Sequence, residues 1–119
     1  MTHNFKKLYI WQNAFDLCTK IYALTSAFPA EERYGLQAQI RRSAVSVPSN
    51  IAEGCGRNTQ KETKRFMNYA IGSNCELETQ LELATHFGYL NKEQGLEFLQ
   101  ELTRNRKMMI TFVEKKLKD

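Results

Sequence analysis

With 119 residues, the chain is long enough to build one hydrophobic core, and we expect a single domain spanning residues 1–119. Its two prolines and six glycines leave little material for turns, which favours long helices. Since no run approaches the ~18 apolar residues of a membrane span, no secretory leader is recognisable, and the three cysteines lack metal-type spacing, we expect a cytoplasmic protein with reduced thiols.

A first helix is predicted from about residue 5 to residue 27. Phe28-Pro29 ends it, because a residue that precedes proline avoids the helical region. Apolar residues at helical spacing predict one buried side. Its members are Leu8, Trp11, Phe15, Cys18, Ile21 and Tyr22.

A second helix is predicted within residues 34–57, and it ends at Gly54 and Gly56. Its buried stripe comprises Leu36, Ile40, Ala44, Val47 and Ile51. The same segment carries Arg41-Arg42 at its middle and Pro48 inside it. A helix that only fills a core does not need these residues.

Two further helices complete the chain. The third begins at a capping box formed by Thr59 and Glu62 and ends at Gly88, a left-handed terminator. The fourth begins at Asn91, with Gln94 three residues later. Four helices of about 22–27 residues joined by short loops predict an all-α, up-down-up-down four-helix bundle.

The charge of +4 is unevenly distributed along the chain. Residues 33–73 contain seven basic and two acidic side chains, residues 74–101 contain one basic and six acidic, and residues 102–119 contain six basic and two acidic. In an up-down-up-down bundle, this pattern predicts one basic tip and one acidic tip. The acidic tip would hold Glu31, Glu32, Glu78, Glu82, Glu93 and Glu97.

The basic tip is the candidate nucleic-acid-binding surface, because cations from several elements would converge there on phosphates. The alternative is an ordinary solvated, charged end. Its candidate binding residues are Arg57, Lys61, Lys64, Arg65, Lys115 and Lys116, accompanied by Lys6, Lys7 and Lys118. No motif for reading base sequence is present.

A second candidate is a structural polar layer in the middle of the bundle. The apolar pattern of the fourth helix is interrupted at residues 103–107, and continuing the stripe places Arg106 inward. The helix register brings Glu76 and Arg41 or Arg42 to the same level. We expect the Glu76 carboxylate to pair with one of these arginines, because a buried charge needs a partner.

Metal and enzyme chemistry find little support. Helical di-iron sites need Glu-x-x-His motifs, and the chain has none, so we expect no metal and no cofactor. Glu78, Glu82 and His86 form one helical row, which is more typical of a solvated face. Cys55 lies between two glycines after a helix, where a thiol is not activated, so a structural turn is the simpler interpretation. We expect no enzymatic activity.

Trp11-Gln12, Phe28-Pro29, the run from Gln39 to Gly54 and Gly72-Ser73 form a distinctive set of motifs. On these residues the chain resembles the small bundle proteins encoded in intervening sequences of bacterial large-subunit ribosomal RNA genes, and their relatives, the accessory proteins of diversity-generating retroelements. The resemblance spans nearly the whole chain and is strongest in the run from Gln39 to Gly54. It implies a cytoplasmic four-helix bundle that assembles as a homopentamer and has no established enzymatic activity. The retroelement relatives are basic rings that bind nucleic acid and a reverse transcriptase.

We therefore expect a non-enzymatic homo-oligomer that presents a basic surface to RNA, DNA or a ribonucleoprotein. The alternative is an oligomeric scaffold that binds another protein and no nucleic acid. Oligomerisation would bury apolar side chains that lie off the core stripes. The residues predicted to be exposed in this way are Tyr9, Ile10, Phe98, Met108 and Phe112.

Overall fold

Four long α-helices make up most of the computed structural model, which describes residues 4–117. They are α1 (Tyr9–Thr25), α2 (Leu36–Cys55), α3 (Gln60–His86) and α4 (Lys92–Lys116). Single 3-10 turns at Phe5–Lys7 and Ala30–Glu32 precede α1 and α2. Within residues 4–117 there is no strand, and the predicted all-α four-helix bundle is confirmed.

Local signals account for the helix ends. The Asn91 side chain accepts a hydrogen bond from the Gln94 backbone N–H while the Gln94 side chain accepts one from Asn91, so the capping box of α4 is complete. At α3 only the Thr59 half forms, because the Glu62 carboxylate lies 3.5 Å from Arg65. Gly88 has a φ of +84°, the left-handed conformation that glycine adopts without strain.

Two buried clusters establish how the helices run. One contains Ile10 at the start of α1, Cys55 at the end of α2, Met67 near the start of α3 and Val113 near the end of α4. The other cluster joins the opposite ends and includes Ile21, Ile40, Ala84 and Phe98. Each helix therefore runs antiparallel to the next one in the chain, in a bundle whose longest dimension is 44 Å.

The face that α1 buries differs from the prediction. Its buried residues are Ile10, Ala14, Leu17, Ile21 and Thr25. Of the predicted stripe only Ile21 is buried, whereas Phe15 and Tyr22 are exposed and Trp11 is half-buried. The error has a physical cause: α1 carries two apolar stripes about a quarter turn apart, and the larger side chains occupy the outer one.

A relay of amides crosses the middle of the bundle between the two clusters. The Asn74 Nδ2 of α3 donates to Asn105 Oδ1 of α4 at 3.1 Å, and Asn105 Nδ2 donates to Asn13 Oδ1 of α1 at 2.8 Å. Arg106 Nη1 donates to Asn74 Oδ1 at 2.6 Å and to Glu78 Oε1 at 2.8 Å. Asn74 and Asn105 are fully buried.

This relay corrects the predicted polar layer of Arg41, Arg42, Glu76 and Arg106. Arg106 belongs to the layer, but its carboxylate partner is Glu78. Glu76 is exposed and accepts a 3.3 Å hydrogen bond from Ser43 instead of pairing with an arginine. Asn105, one position before Arg106, takes the inward place in α4, so the predicted stripe was one residue out of register.

Candidate nucleic-acid interface

The predicted basic tip is the end of the bundle built around the cluster of Ile10, Cys55, Met67 and Val113. The turn before α1 delivers Lys6 and Lys7 to it, and Phe5 and Leu8 on either side pack against the cluster. The beginning of α3 delivers Lys61, and the last turn of α4 delivers Lys115 and Lys116. Three separate segments therefore bring lysines to one end, as the topology predicts.

These five lysines are exposed, and none makes an ion pair within residues 4–117. Two of the carboxylates at this end are already engaged, Glu53 by Arg57 at 2.6 Å and Glu62 by Arg65 at 3.5 Å. Glu114, another carboxylate of the part of α4 that the structure describes, is exposed. The balance of charge at the tip is therefore positive.

Arg57 and Arg65 have structural partners. The Arg57 guanidinium lies 4.5 Å from the Phe66 ring centre and pairs with Glu53, so it braces the corner between α2 and α3. Arg65 Nε donates to the Tyr69 hydroxyl at 2.9 Å, a bond that raises the pKa of the guanidinium. Lys64 is half-buried on the second turn of α3, and Lys118 lies outside the described residues.

A groove of about 430 Å³ extends the basic tip along the seam between α1 and α4. Leu8, Ile10 and Met108 contribute apolar lining. Basic residues at two levels of α4 also line it, namely Arg104 and Lys107 at one and Lys115 and Lys116 at the other. Phosphates could therefore meet cations over about three turns of α4 as well as at the tip itself.

The opposite end is not uniformly acidic, which corrects the prediction. A cleft of about 790 Å³ lies there, where the chain passes from α1 into α2. We call it the arginine–tyrosine cleft, after Arg33, Arg41, Arg42, Tyr22 and Tyr34 in its lining. The sequence analysis missed it because the corner between the two helices joins residues up to twenty positions apart.

The other candidate chemistry can be located in the structure. Glu78 of the predicted Glu78, Glu82, His86 row is paired with Arg106. Within residues 4–117 no group of three potential metal ligands converges. Burial raises the pKa of the Cys55 thiol, consistent with a structural role for this residue. Cys75 is exposed on α3.

An aromatic ladder runs along the outer stripe of α1. The ring centres of Phe5 and Trp11 are 5.3 Å apart, and those of Trp11 and Phe15 are 5.1 Å apart. Phe15 remains 48% exposed. Cys18 continues the stripe toward the cleft, and Val45 is exposed on α2, the helix that follows. We call this surface, comprising Trp11, Phe15, Cys18 and Val45, the α1–α2 face.

Two of the five side chains predicted to be surplus apolar surface are in fact core. Ile10 and Phe98 are 6% and 8% exposed and belong to the two buried clusters. Tyr9 is 67% exposed, as predicted, and Met108 and Phe112 are half-buried. The exposed apolar surface also includes Phe15 and Val45 of the α1–α2 face, which the predicted set does not contain.

The fold and site together define a small helical bundle with a basic end. The family model of the 23S rRNA-intervening sequence protein matches residues 6–111, and the chain belongs to this family. The crystal structure of a protein of unknown function from the S23 ribosomal protein family of Bacteroides thetaiotaomicron superposes with a TM-score of 0.80 at 21% identity, covering 89% of this chain and 99% of that one. Comparison with curated proteins finds no match.

The resemblance inferred from the sequence is thus confirmed at the level of family, and the solved structure supports the fold. Within residues 4–117, none of the helices has the combination of length and apolar character that crossing a bilayer requires.

Proposed function

We propose that the protein is a non-enzymatic, homo-oligomeric bundle of the cytoplasm that binds nucleic acid, as RNA or a ribonucleoprotein, through its basic tip. The observation that carries this proposal is the convergence of Lys6, Lys7, Lys61, Lys115 and Lys116 from three segments on one end, without ion pairs among residues 4–117. A cation that is exposed and unpaired can neutralise a phosphate without first breaking a protein contact.

The mode of binding follows from the side chains at the tip. Lysines contact phosphates as point charges and carry no sequence information. Counterion release then dominates the affinity. We expect the affinity to depend little on nucleic-acid sequence and to fall steeply as the salt concentration rises. Arg57 has a bracing role in this proposal, because its guanidinium is already stacked and paired.

Oligomerisation supports binding by presenting several tips together. The α1–α2 face offers stacked, partly exposed aromatic side chains that a second copy would cover. Closed cyclic assembly buries such a face without leaving open ends. A pentamer, which the family resemblance implies, would give five tips, so that a weak single contact is multiplied through effective concentration.

The oligomer is tested by light scattering on the wild type and on Phe15→Asp. We expect the wild type to exceed the 13.8 kDa of one chain several-fold and Phe15→Asp to reduce the mass, because the substitution places a charge in the covered face. Leu96→Asp is the matched control: it places the same charge at an exposed leucine outside this face and should keep the wild-type mass. A wild type of 13.8 kDa at micromolar concentration contradicts the oligomer.

The nucleic-acid role is tested with two variants of equal net charge. Lys61→Ala/Lys115→Ala removes two cations from the tip, whereas Lys20→Ala/Lys92→Ala removes two from elsewhere. Fluorescence anisotropy with a labelled RNA duplex should show a larger loss of affinity for the tip variant. Equal losses would mean that net charge alone acts, and absence of binding by the wild type would favour the protein-binding scaffold.

A further inference from the structure

The arginine–tyrosine cleft concentrates positive charge and aromatic surface at the end of the bundle opposite the basic tip. Three guanidinium groups and two tyrosine rings line it, and no carboxylate within residues 4–117 does. Its volume of about 790 Å³ is in the range of small-molecule sites. Glu32 is close in sequence, but its carboxylate accepts hydrogen bonds from the Leu36 backbone N–H and the Tyr89 hydroxyl, each at 2.9 Å, and forms no ion pair with the cleft's arginines within residues 4–117.

Arg41 is fixed in place by the end of α1. Its Nε donates to Thr25 Oγ1 and its Nη2 donates to the Tyr22 carbonyl oxygen, both at 3.0 Å. Its guanidinium lies 4.5 Å from the centre of the Tyr22 ring. These bonds use two of the five N–H groups of the side chain, so three remain for an acceptor in the cleft. A guanidinium that is already ordered loses little entropy when it binds.

A structural role for Arg41 explains only part of the cleft. Its hydrogen bond to the Tyr22 carbonyl oxygen caps the C-terminal end of α1, where a positive charge also interacts favourably with the helix dipole. Such a role gives no reason for Arg33 and Arg42, which are exposed and make no ion pair within residues 4–117. It also gives no reason for Tyr34, whose side chain is 89% exposed beside Arg33.

We propose that this cleft binds a single-stranded segment of nucleic acid, with phosphates on Arg33, Arg41 and Arg42 and a base stacked on the ring of Tyr34. Guanidinium groups match the geometry of phosphate oxygens, and an exposed aromatic ring offers a stacking platform to an unpaired base. The bases of a duplex are stacked on each other, which denies Tyr34 this contact. The cleft proposal rests on the proposed function and adds a second, strand-selective contact to it.

The test compares an eight-nucleotide oligouridylate with an RNA duplex, using the full-length chain and fluorescence anisotropy. Tyr34→Ala should weaken oligouridylate binding by about 5- to 150-fold, the worth of one base–aromatic stack. Duplex binding should change less than twofold. Tyr34→Phe keeps the ring and should bind like the wild type. Phe87→Ala removes an aromatic side chain that is 56% exposed and does not line the cleft, and it serves as the matched control.

The charges of the cleft are tested with Arg33→Ala/Arg42→Ala. In a plot of the logarithm of the oligouridylate association constant against that of salt concentration, this variant should reduce the magnitude of the slope by about 1.4, or 0.7 for each cation in contact with a single strand. Uridine monophosphate should compete only at concentrations at least tenfold higher, because a strand contacts several guanidinium groups at once. If uridine monophosphate competed at the same concentration as oligouridylate, the ligand of the cleft would be a free nucleotide, and the proposal of a single strand would be wrong.

The outcomes separate this proposal from the proposed function. If the tip variant weakens duplex binding while the Tyr34 and arginine variants bind oligouridylate like the wild type, the cleft proposal fails and the tip stands. If the wild type binds neither probe, both fail. Since Tyr34 is exposed, its substitution should leave the circular dichroism spectrum unchanged. A loss of binding is then due to the lost contact in the cleft and not to unfolding.

Discussion

Replacing Asn74 with alanine should strongly destabilise the bundle, because Asn74 is the centre of the amide relay. The substitution removes the hydrogen bonds from Asn74 Nδ2 to Asn105 Oδ1 and to the Leu102 carbonyl, and the bond from Arg106. Asn105 is 1% exposed, so its Oδ1 atom would be left buried with no other partner among residues 4–117.

The loss in free energy of unfolding can be worked out from the buried acceptor left unpaired and the side-chain volume removed. One buried, unpaired acceptor costs about 1–3 kcal/mol, and the lost side-chain volume adds to it, for a total of about 2–4 kcal/mol. Arg106 contributes little to the loss because it keeps its 2.8 Å contact with Glu78. With a urea m-value of about 1.5 kcal/mol/M, the unfolding midpoint should fall by about 1–3 M.

The assay is urea unfolding followed by circular dichroism at a fixed protein concentration, since oligomerisation couples stability to concentration. Asn68→Ala is the matched control, because Asn68 is an exposed asparagine on the same helix, and its effect should stay within about 0.5 kcal/mol. In an Asn105→Ala background, Asn74→Ala should cost at least about 1 kcal/mol less. An Asn74→Ala midpoint equal to that of Asn68→Ala would refute the relay.

Three further changes have defined outcomes. Gly54→Ala should lower the free energy of unfolding by about 1–3 kcal/mol, because a Cβ would lie 3.1 Å from the Thr63 carbonyl oxygen; thermal melts will check this. The Glu32 carboxylate accepts hydrogen bonds from the first backbone N–H of α2 and from the Tyr89 hydroxyl, and both bonds lower its pKa. Its contribution to stability is therefore complete above the unfolded pKa of about 4.3 and is lost as the pH falls through the lower, folded value. Urea unfolding at several pH values should show the stability gap between wild type and Glu32→Gln closing below about pH 4.3. Glu76→Gln should leave the free energy of unfolding, measured with urea, within about 0.5 kcal/mol of wild type, and a loss of several kcal/mol would restore the paired carboxylate that the sequence suggests.

Helix positions and topology were predictable because their signals are local. Asn91 and Gln94 cap α4 through bonds three residues apart, and Gly88 ends the preceding turn by its own backbone conformation. Short connections then force neighbouring helices to run antiparallel. The convergence of lysines at one tip follows from this topology and needs no knowledge of side-chain packing.

The inward face of α1 was harder to predict, because hydrophobicity alone does not rank two competing stripes. Trp11 and Phe15 are larger than Ala14 and Leu17, yet the smaller pair faces the core. Close packing among four helices favours small side chains where axes approach. Large aromatic residues left outside are themselves informative, since they mark the α1–α2 face.

The polar layer was predicted at the correct level but with the wrong residues. The predicted layer consisted of charged side chains alone, whereas the buried partners are the amides of Asn74 and Asn105. Each asparagine occupies a core position of its helix, between Ala70 and Leu77 in α3 and between Leu102 and Met109 in α4. Asparagine at such a position is a recognised device for fixing register, and its spacing was visible in the sequence.

The measurement that tests the proposed function most directly is the salt dependence of RNA-duplex binding. Plotting the logarithm of the association constant against that of salt concentration gives a slope of about −0.9 per contacted cation. We predict that Lys61→Ala/Lys115→Ala reduces the magnitude of the slope by about 1.8, whereas Lys20→Ala/Lys92→Ala leaves it unchanged. Equal slopes for the wild type and the tip variant would contradict binding through the basic tip.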